Sequence, residues 1–343
     1  MPGAEGHDSG QAGEAPAGYS WSRYVESFTE LHGGWTALAD ELLLRARRVV
    51  EMPDLQSVEK GLRRLSVREH RPGGQYGRWM LRFFGLPRSA RSWARWLGQY
   101  HSRFSDLPVS LQREQLNLWN RPPISESSAA AWLLVGAAAC AKRAGDDPAM
   151  RDNLARAGAL AKSAGTAAIL ETTLFTALVA SGDGNSDEVA RGLDAAQAEL
   201  AAPDLDGDDR AAYGARVADQ RAYQCLHPRG DPTNDVETAL ALYEGIDEAS
   251  ELPFVAFRRN HGIAYCRWRM GQTELARAAG ERAMDAAGDG GLVRFRIMSM
   301  NLLARIVSEP EGGRLRARAD AMARRLEDED LLARLHRPDP PST

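Results

Sequence analysis

The chain has 343 residues, 26% charged and 43% hydrophobic, and a formal net charge of −4. Those proportions are ordinary for a globular protein, long enough for two modest domains or one repeat array. The longest apolar stretch, AAAWLLVGAAACA at 129–141, is too short to span a bilayer.

Alanine, leucine, arginine and glutamate dominate, and period-two runs of valine, isoleucine and threonine are scarce. The fold expected is all-α. Residues 1–18, MPGAEGHDSGQAGEAPAG, are acidic, rich in glycine and proline, and have no apolar signal core. They read as a disordered tail on a cytoplasmic protein. A short helix is expected from about Tyr19 to the Gly33-Gly34 pair. A second, from about Trp35 to Val50, carries Trp35, Leu38, Ala39, Leu42, Ala46 and Val49 on one stripe. After Pro53, Asp54 is placed to cap a third helix with stripe Leu55, Val58, Leu62 and Leu65. Two more follow near 75–84 and 88–104, and a short one at 109–119. RPPISESS, residues 121–128, reads as a linker closing a basic, tryptophan-rich domain over 19–120.

Beyond it the text changes. Six of the eight tryptophans precede residue 120, alanine rises, and helical pairs alternate with Gly/Asp/Pro turns. Pairs are expected near 126–163, 166–201, 208–247, 252–287 and 291–327. One pair cannot bury its apolar face alone, so an α-solenoid over 129–335 is expected, with a polar cap and a disordered tail at 336–343.

The clearest repeat is NHGIAYCRWRMGQTELARAAGERAMDAA, 260–287. It resembles a tetratricopeptide (TPR) repeat: Ala264 stands at the small-residue contact of the first helix, Gly271 at the turn, Ala276 and Ala283 on the second helix. Arg267 replaces the family's tyrosine and the closing proline is absent. The resemblance implies a concave face with Arg258, His261, Tyr265, Trp268 and Arg269 near it. Two arginines, a tryptophan and a tyrosine could hold a peptide or protein, or the aromatics could simply pack on the neighbouring repeat.

Charge is distributed unevenly. Residues 1–44 net −6, residues 45–103 net +10 and the remainder −8. A basic block between acidic ones suggests a polyanionic partner, or docking on the protein's own acidic half. The stripes Tyr76, Trp79, Met80, Phe83, Phe84 and Trp93, Trp96, Leu97, Tyr100, Phe104 read as core. Arg78 and Arg82, and Arg88, Arg91 and Arg95, are left facing solvent or a partner. The third helix leaves Gln56, Lys60, Arg63 and Arg64 outside. WTALADELLLRARRVVEMPDLQSVEKGLRRL resembles a helix-turn-helix of the xenobiotic-response-element type, with a longer connection. The resemblance implies Gln56 and Ser57 near base edges and Lys60, Arg63 and Arg64 on phosphates. A helix-turn-helix-like domain before TPR-like repeats is similar to TPR-containing transcriptional regulators.

Catalytic, metal and cofactor signals are lacking. GGQYG lacks GK[ST], no GxSxG occurs, and the seven histidines show no HxxxH or HxH spacing. Asp183, Asn185, Asp187 and Asp194 mimic a calcium loop, but Glu188 replaces the required glycine and a capped turn is expected. Cys140, Cys225 and Cys266 read as buried thiols. The expected function is therefore a non-enzymatic regulator binding DNA and a protein or peptide. The alternative is an interaction scaffold without nucleic acid, whose basic domain docks on an acidic protein surface.

Overall fold

The computed structural model describes residues 18–47, 49–227 and 235–336. The expected tails, 1–18 and 336–343, lie outside these apart from Gly18 and His336. Among the described residues there are seventeen α-helices, two 3-10 helices and no strand. The contacts divide them into two compact units. The first runs up to Pro87 and takes in Leu118–Glu126; the second comprises Arg88–Asn117 and everything from Ser127 onward. That division differs from a single boundary at 121–128.

The first unit is built from α1 (Trp21–His32), α2 (Trp35–Ala46), α3 (Leu55–Ser66) and α4 (Gly74–Phe83). Ser20 caps α1, and Gly33 closes it in the left-handed region at φ 81°. Trp21, Tyr24, Leu38, Leu42, Leu62 and Met80 form a fully buried core. Glycines admit its largest rings: Trp21 lies on Gly73 and Gly77, and Tyr76 on Gly61, with no room for a Cβ. The Trp21 indole N–H donates to the Arg71 carbonyl at 3.0 Å. Residues 118–126 belong here because Trp119 stacks on Tyr19 and the Glu126 carboxylate accepts from the Gly73 N–H, at the start of α4.

The second unit opens with α5 (Arg88–Gly98), a 3-10 turn (Arg103–Asp106) and α6 (Val109–Trp119), whose last two residues belong to the first unit. Five helical pairs follow at the expected places: α7 (Ala130–Arg143) with α8 (Asp147–Ala164), α9 (Thr166–Asp183) with α10 (Ser186–Glu199), α11 (Gly207–Leu226) with α12 (Val236–Glu244), α13 (Pro253–Arg269) with α14 (Thr273–Asp289), and α15 (Val293–Ile306) with α16 (Glu311–Arg325). The chain then forms α17 (Glu329–Leu335). Each helix packs on the next, and the first helices α7, α9, α11, α13 and α15 also pack on one another. That is the arrangement of an α-solenoid, first helices inside. Small residues allow the crossing within a pair, with Ala264 of α13 against Gly280 of α14.

The array closes on itself. α17 returns to α7, where the buried Asp328 carboxylate receives Arg143 of α7 at 2.8 Å and Arg294 of α15 at 3.0 Å. α5 lies across α7 with backbones in contact: Gly98 abuts the Trp132 carbonyl, and Gly136 abuts the Leu97 carbonyl. The segment leaving α5, residues 99–107, runs over the first helices instead of leaving their inner face open.

Candidate functional site

Two places gather the residues that the sequence singles out. The first is the outer face of α3. Val58, Gly61, Leu62 and Leu65 are buried, and Gln56, Lys60, Arg63 and Arg64 are exposed on the opposite side. Residues 55–83 carry seven basic side chains against Glu59 and Glu69, so this part of the unit nets +5. The four expected α3 contacts are not equivalent. Arg63 is held by Glu59 at 2.8 Å and lies over the Trp35 ring at 4.8 Å. Glu59 also accepts from the Thr36 hydroxyl at 2.8 Å, and these two bonds hold its carboxyl below the usual range. Ser57 is committed to the cap: its N–H and hydroxyl both bond Asp54 at 2.9 Å, which lowers the Asp54 pKa, and its carbonyl accepts from Tyr76. Lys60 and Arg64 lie one turn apart and form no ion pair among the described residues. Arg78 and Arg82 repeat that spacing on the exposed side of α4. Eight residues connect α2 to α3, twice the usual helix-turn-helix turn.

The basic block of residues 45–103 is itself divided. Four of its fourteen basic residues, Arg88, Arg91, Arg95 and Arg103, fall in the second unit. Arg88 and Arg91 are exposed, but Arg95 is paired with the buried Asp209 of α11 and Arg103 donates to the Gly290 carbonyl at 3.0 Å. Arg95 therefore faces the protein, because it projects from the side of α5 that lies on the array.

The second place is the inner face of the array, where α13 is the central element. Its five sequence-selected residues fall into two groups. At the N-terminal half, the buried Arg258 guanidinium meets Asp219 of α11 at 2.9 Å and the Tyr100 hydroxyl at 2.6 Å. Rings of Phe254, Phe257 and Phe295 surround it at 5.3 to 5.5 Å. Tyr100 is the hub. Its ring packs on Phe254 and Phe295, with Arg216 stacked at 4.7 Å. Burial raises the Tyr100 pKa, but Arg258, Arg294 and Arg216 together reverse that and leave it lowered. Arg216 is itself paired with the buried Glu171 of α9 at 2.8 Å. His261 lies one turn further on. Burial and the nearby Arg258 push its pKa down to about 4, so it is a neutral ring.

At the C-terminal half of α13, Tyr265, Trp268 and Arg269 form a separate group. The Tyr265 hydroxyl accepts from Arg269 at 3.3 Å, and its ring lies 5.8 Å from Trp268 and 6.4 Å from His227. Tyr223 of α11, half exposed at 48%, packs on His227 at 4.4 Å. Sequence reasoning missed Tyr223 and His227 here, and Tyr100, Asp219, Arg216 and Arg294 at the other end. One signal was available: Arg216 and Arg294 stand within the apolar face of first helices, and a buried arginine needs an acid partner.

The aspartates of the calcium-like stretch do other work. Asp183 pairs with Arg151 and Asp194 with Arg221, and Asn185 caps α10. Among the described residues no group of three or more His, Cys, Asp or Glu side chains is placed to hold a metal ion, and no helix is long and apolar enough to cross a membrane. No protein-family model, no curated protein and no solved structure matches this chain.

Proposed function

We propose that the chain is a non-enzymatic regulator, in which the α3 face of the first unit contacts DNA and the repeat array binds a protein or peptide. One observation carries the DNA half. A short amphipathic helix presents Gln56, Lys60 and Arg64 as a single exposed stripe, with the α4 arginines Arg78 and Arg82 nearby in sequence. A glutamine can read a base edge, and lysine and arginine neutralise phosphates. The peptide half draws on the aromatic and arginine clusters of α11 and α13.

The test is fluorescence anisotropy of a labelled duplex over a salt series, with full-length protein and a Lys60→Glu/Arg64→Glu variant. Full-length protein is expected to bind with a steep salt dependence. The variant is expected to bind at least tenfold more weakly, with a log–log salt slope smaller by about 2, since each lost phosphate contact removes ~0.9. Unchanged binding by a variant with native circular dichroism removes α3 from the interface.

The internal use of Arg95 and Arg103 favours a second reading, a scaffold without nucleic acid. On that reading the basic side chains serve protein contacts. Absence of duplex binding at low salt would select it.

A further inference from the structure

We propose that residues Gln99–Leu107 are an internal ligand of the repeat array, resting in a groove that, when they withdraw, takes a tyrosine-containing peptide from another molecule. The inference deepens the reading of the array as a peptide binder and rests on it.

The segment is held as grooves hold peptides, largely by hydrogen bonds from side chains to backbone. Arg143 donates to the carbonyls of Ser105 and Leu107 at 2.9 and 3.4 Å. Asp106 accepts the Arg294 backbone N–H at 2.7 Å. Arg103 reaches the Gly290 carbonyl. The Arg143 bonds reach the segment's backbone, whereas Asp106 and Arg103 are its own side chains reaching the backbone of the array. The segment also buries side chains: His101 stacks on Phe254, Phe104 is buried, and Tyr100 places its ring in the Phe254–Phe295 niche with its hydroxyl on Arg258. That niche fits a phenol: aromatic edges for the ring, a guanidinium donor for the oxygen, and the Arg216 cation over its face.

Three features make departure of the segment feasible. The groove arginines keep their own acids without it: Arg216 has Glu171, Arg258 has Asp219, and Arg294 has Asp328. No buried cation is stranded. The resident is also an imperfect fit, since the His101 Nδ1 and Asp106 Oδ2 atoms are buried without a hydrogen-bond partner. Finally, both ends are fixed independently. α5 stays on α7 through the Gly98 and Gly136 contacts, and Val109 at the start of α6 donates to the Leu326 carbonyl at 3.0 Å. The nine residues between can swing out while the ring stays closed through Asp328.

The test uses full-length protein and a fluorescent synthetic peptide of residues 99–107. A Tyr100→Ser chain, its resident anchor removed, is expected to bind the peptide at least tenfold more tightly than the wild type. A peptide with serine in place of its tyrosine is expected to lose that gain. Equal binding by both chains, or no loss on removing the peptide's tyrosine, overturns the proposal. Hydrogen exchange on the wild type gives an independent reading should the variant not fold. Amides of 99–107 are expected to exchange at least tenfold faster than those of α5 and α7. Exchange of all three at one rate, by global opening alone, overturns it too. Duplex binding by the peptide-loaded variant separates this idea from the DNA reading. Peptide entry with no duplex bound in any state supports the internal ligand and sinks the DNA-regulator function.

Discussion

His101 lies between the Phe254 ring, stacked at 5.0 Å, and the Tyr213 ring, edge-on at 5.6 Å. Burial, then the charges of Arg216, Arg95 and Arg258, push its pKa down to about 3. The folded protein therefore keeps it neutral, while the unfolded chain takes up a proton below about pH 6.5. The unfolded state binds more protons, so the stability that depends on neutral His101 is complete above pH 6.5 and falls as pH drops toward 3. Between pH 7 and 5 the loss is about 1 to 2 kcal/mol for this one ring. A His101→Phe chain should show a flatter pH dependence by that amount in urea unfolding; an unchanged slope would mean that His101 is protonated in the fold. At this scale the sequence was half legible. Arg258 could be selected from its register in a repeat, but the periodicity places Tyr100 on a core stripe of a helix over 88–104, whereas α5 ends at Gly98 and Tyr100 stands in the turn beyond it. Their hydrogen bond joins positions 158 apart, and nothing local to either residue encodes that pairing.

Helices were the most legible feature, because their signals are local. All five pairs of the array fall where periodicity and turn residues place them, and Asp146, Asn185, Asp206 and Asp235 each cap a helix with the side chain. What a helix packs against was not legible. α5 has a strong apolar stripe that any neighbour could cover, and the neighbour is α7, approached so closely that both helices carry glycine at the crossing. Gly136→Leu should therefore cost about 1 to 3 kcal/mol through overpacking against the Leu97 carbonyl. Gly158, in the exposed interior of α8, has nothing within 4 Å of where a Cβ would stand. Gly158→Ala should instead add about 0.5 to 1 kcal/mol. Denaturant midpoints of the two variants moving in the same direction would contradict this account of the crossing.

For the whole molecule, the linker-like text RPPISESS suggests a cut at 121 that the contacts do not respect. A fragment of residues 121–343 lacks α5 and the 99–107 segment, leaving Trp132, Phe254 and Phe295 without their cover. It should bind a hydrophobic dye and unfold without a sharp transition, whereas 88–343 should melt cooperatively. Sharp melting of both fragments would show that α5 is dispensable to the array. The chain crosses between the two units at Pro87, at Asn117 and at Glu126. Asp106 and Asp328 meet in the finished array through Arg294, the one at its backbone N–H and the other at its side chain. On the ribosome those two aspartates emerge about 10 to 45 s apart, at ~5 to 20 residues per second. For most of that interval, until Phe254 and Phe295 are made, the Tyr100 ring lacks the rings it packs on. The nascent chain thus carries an aromatic segment in waiting until α15 is made.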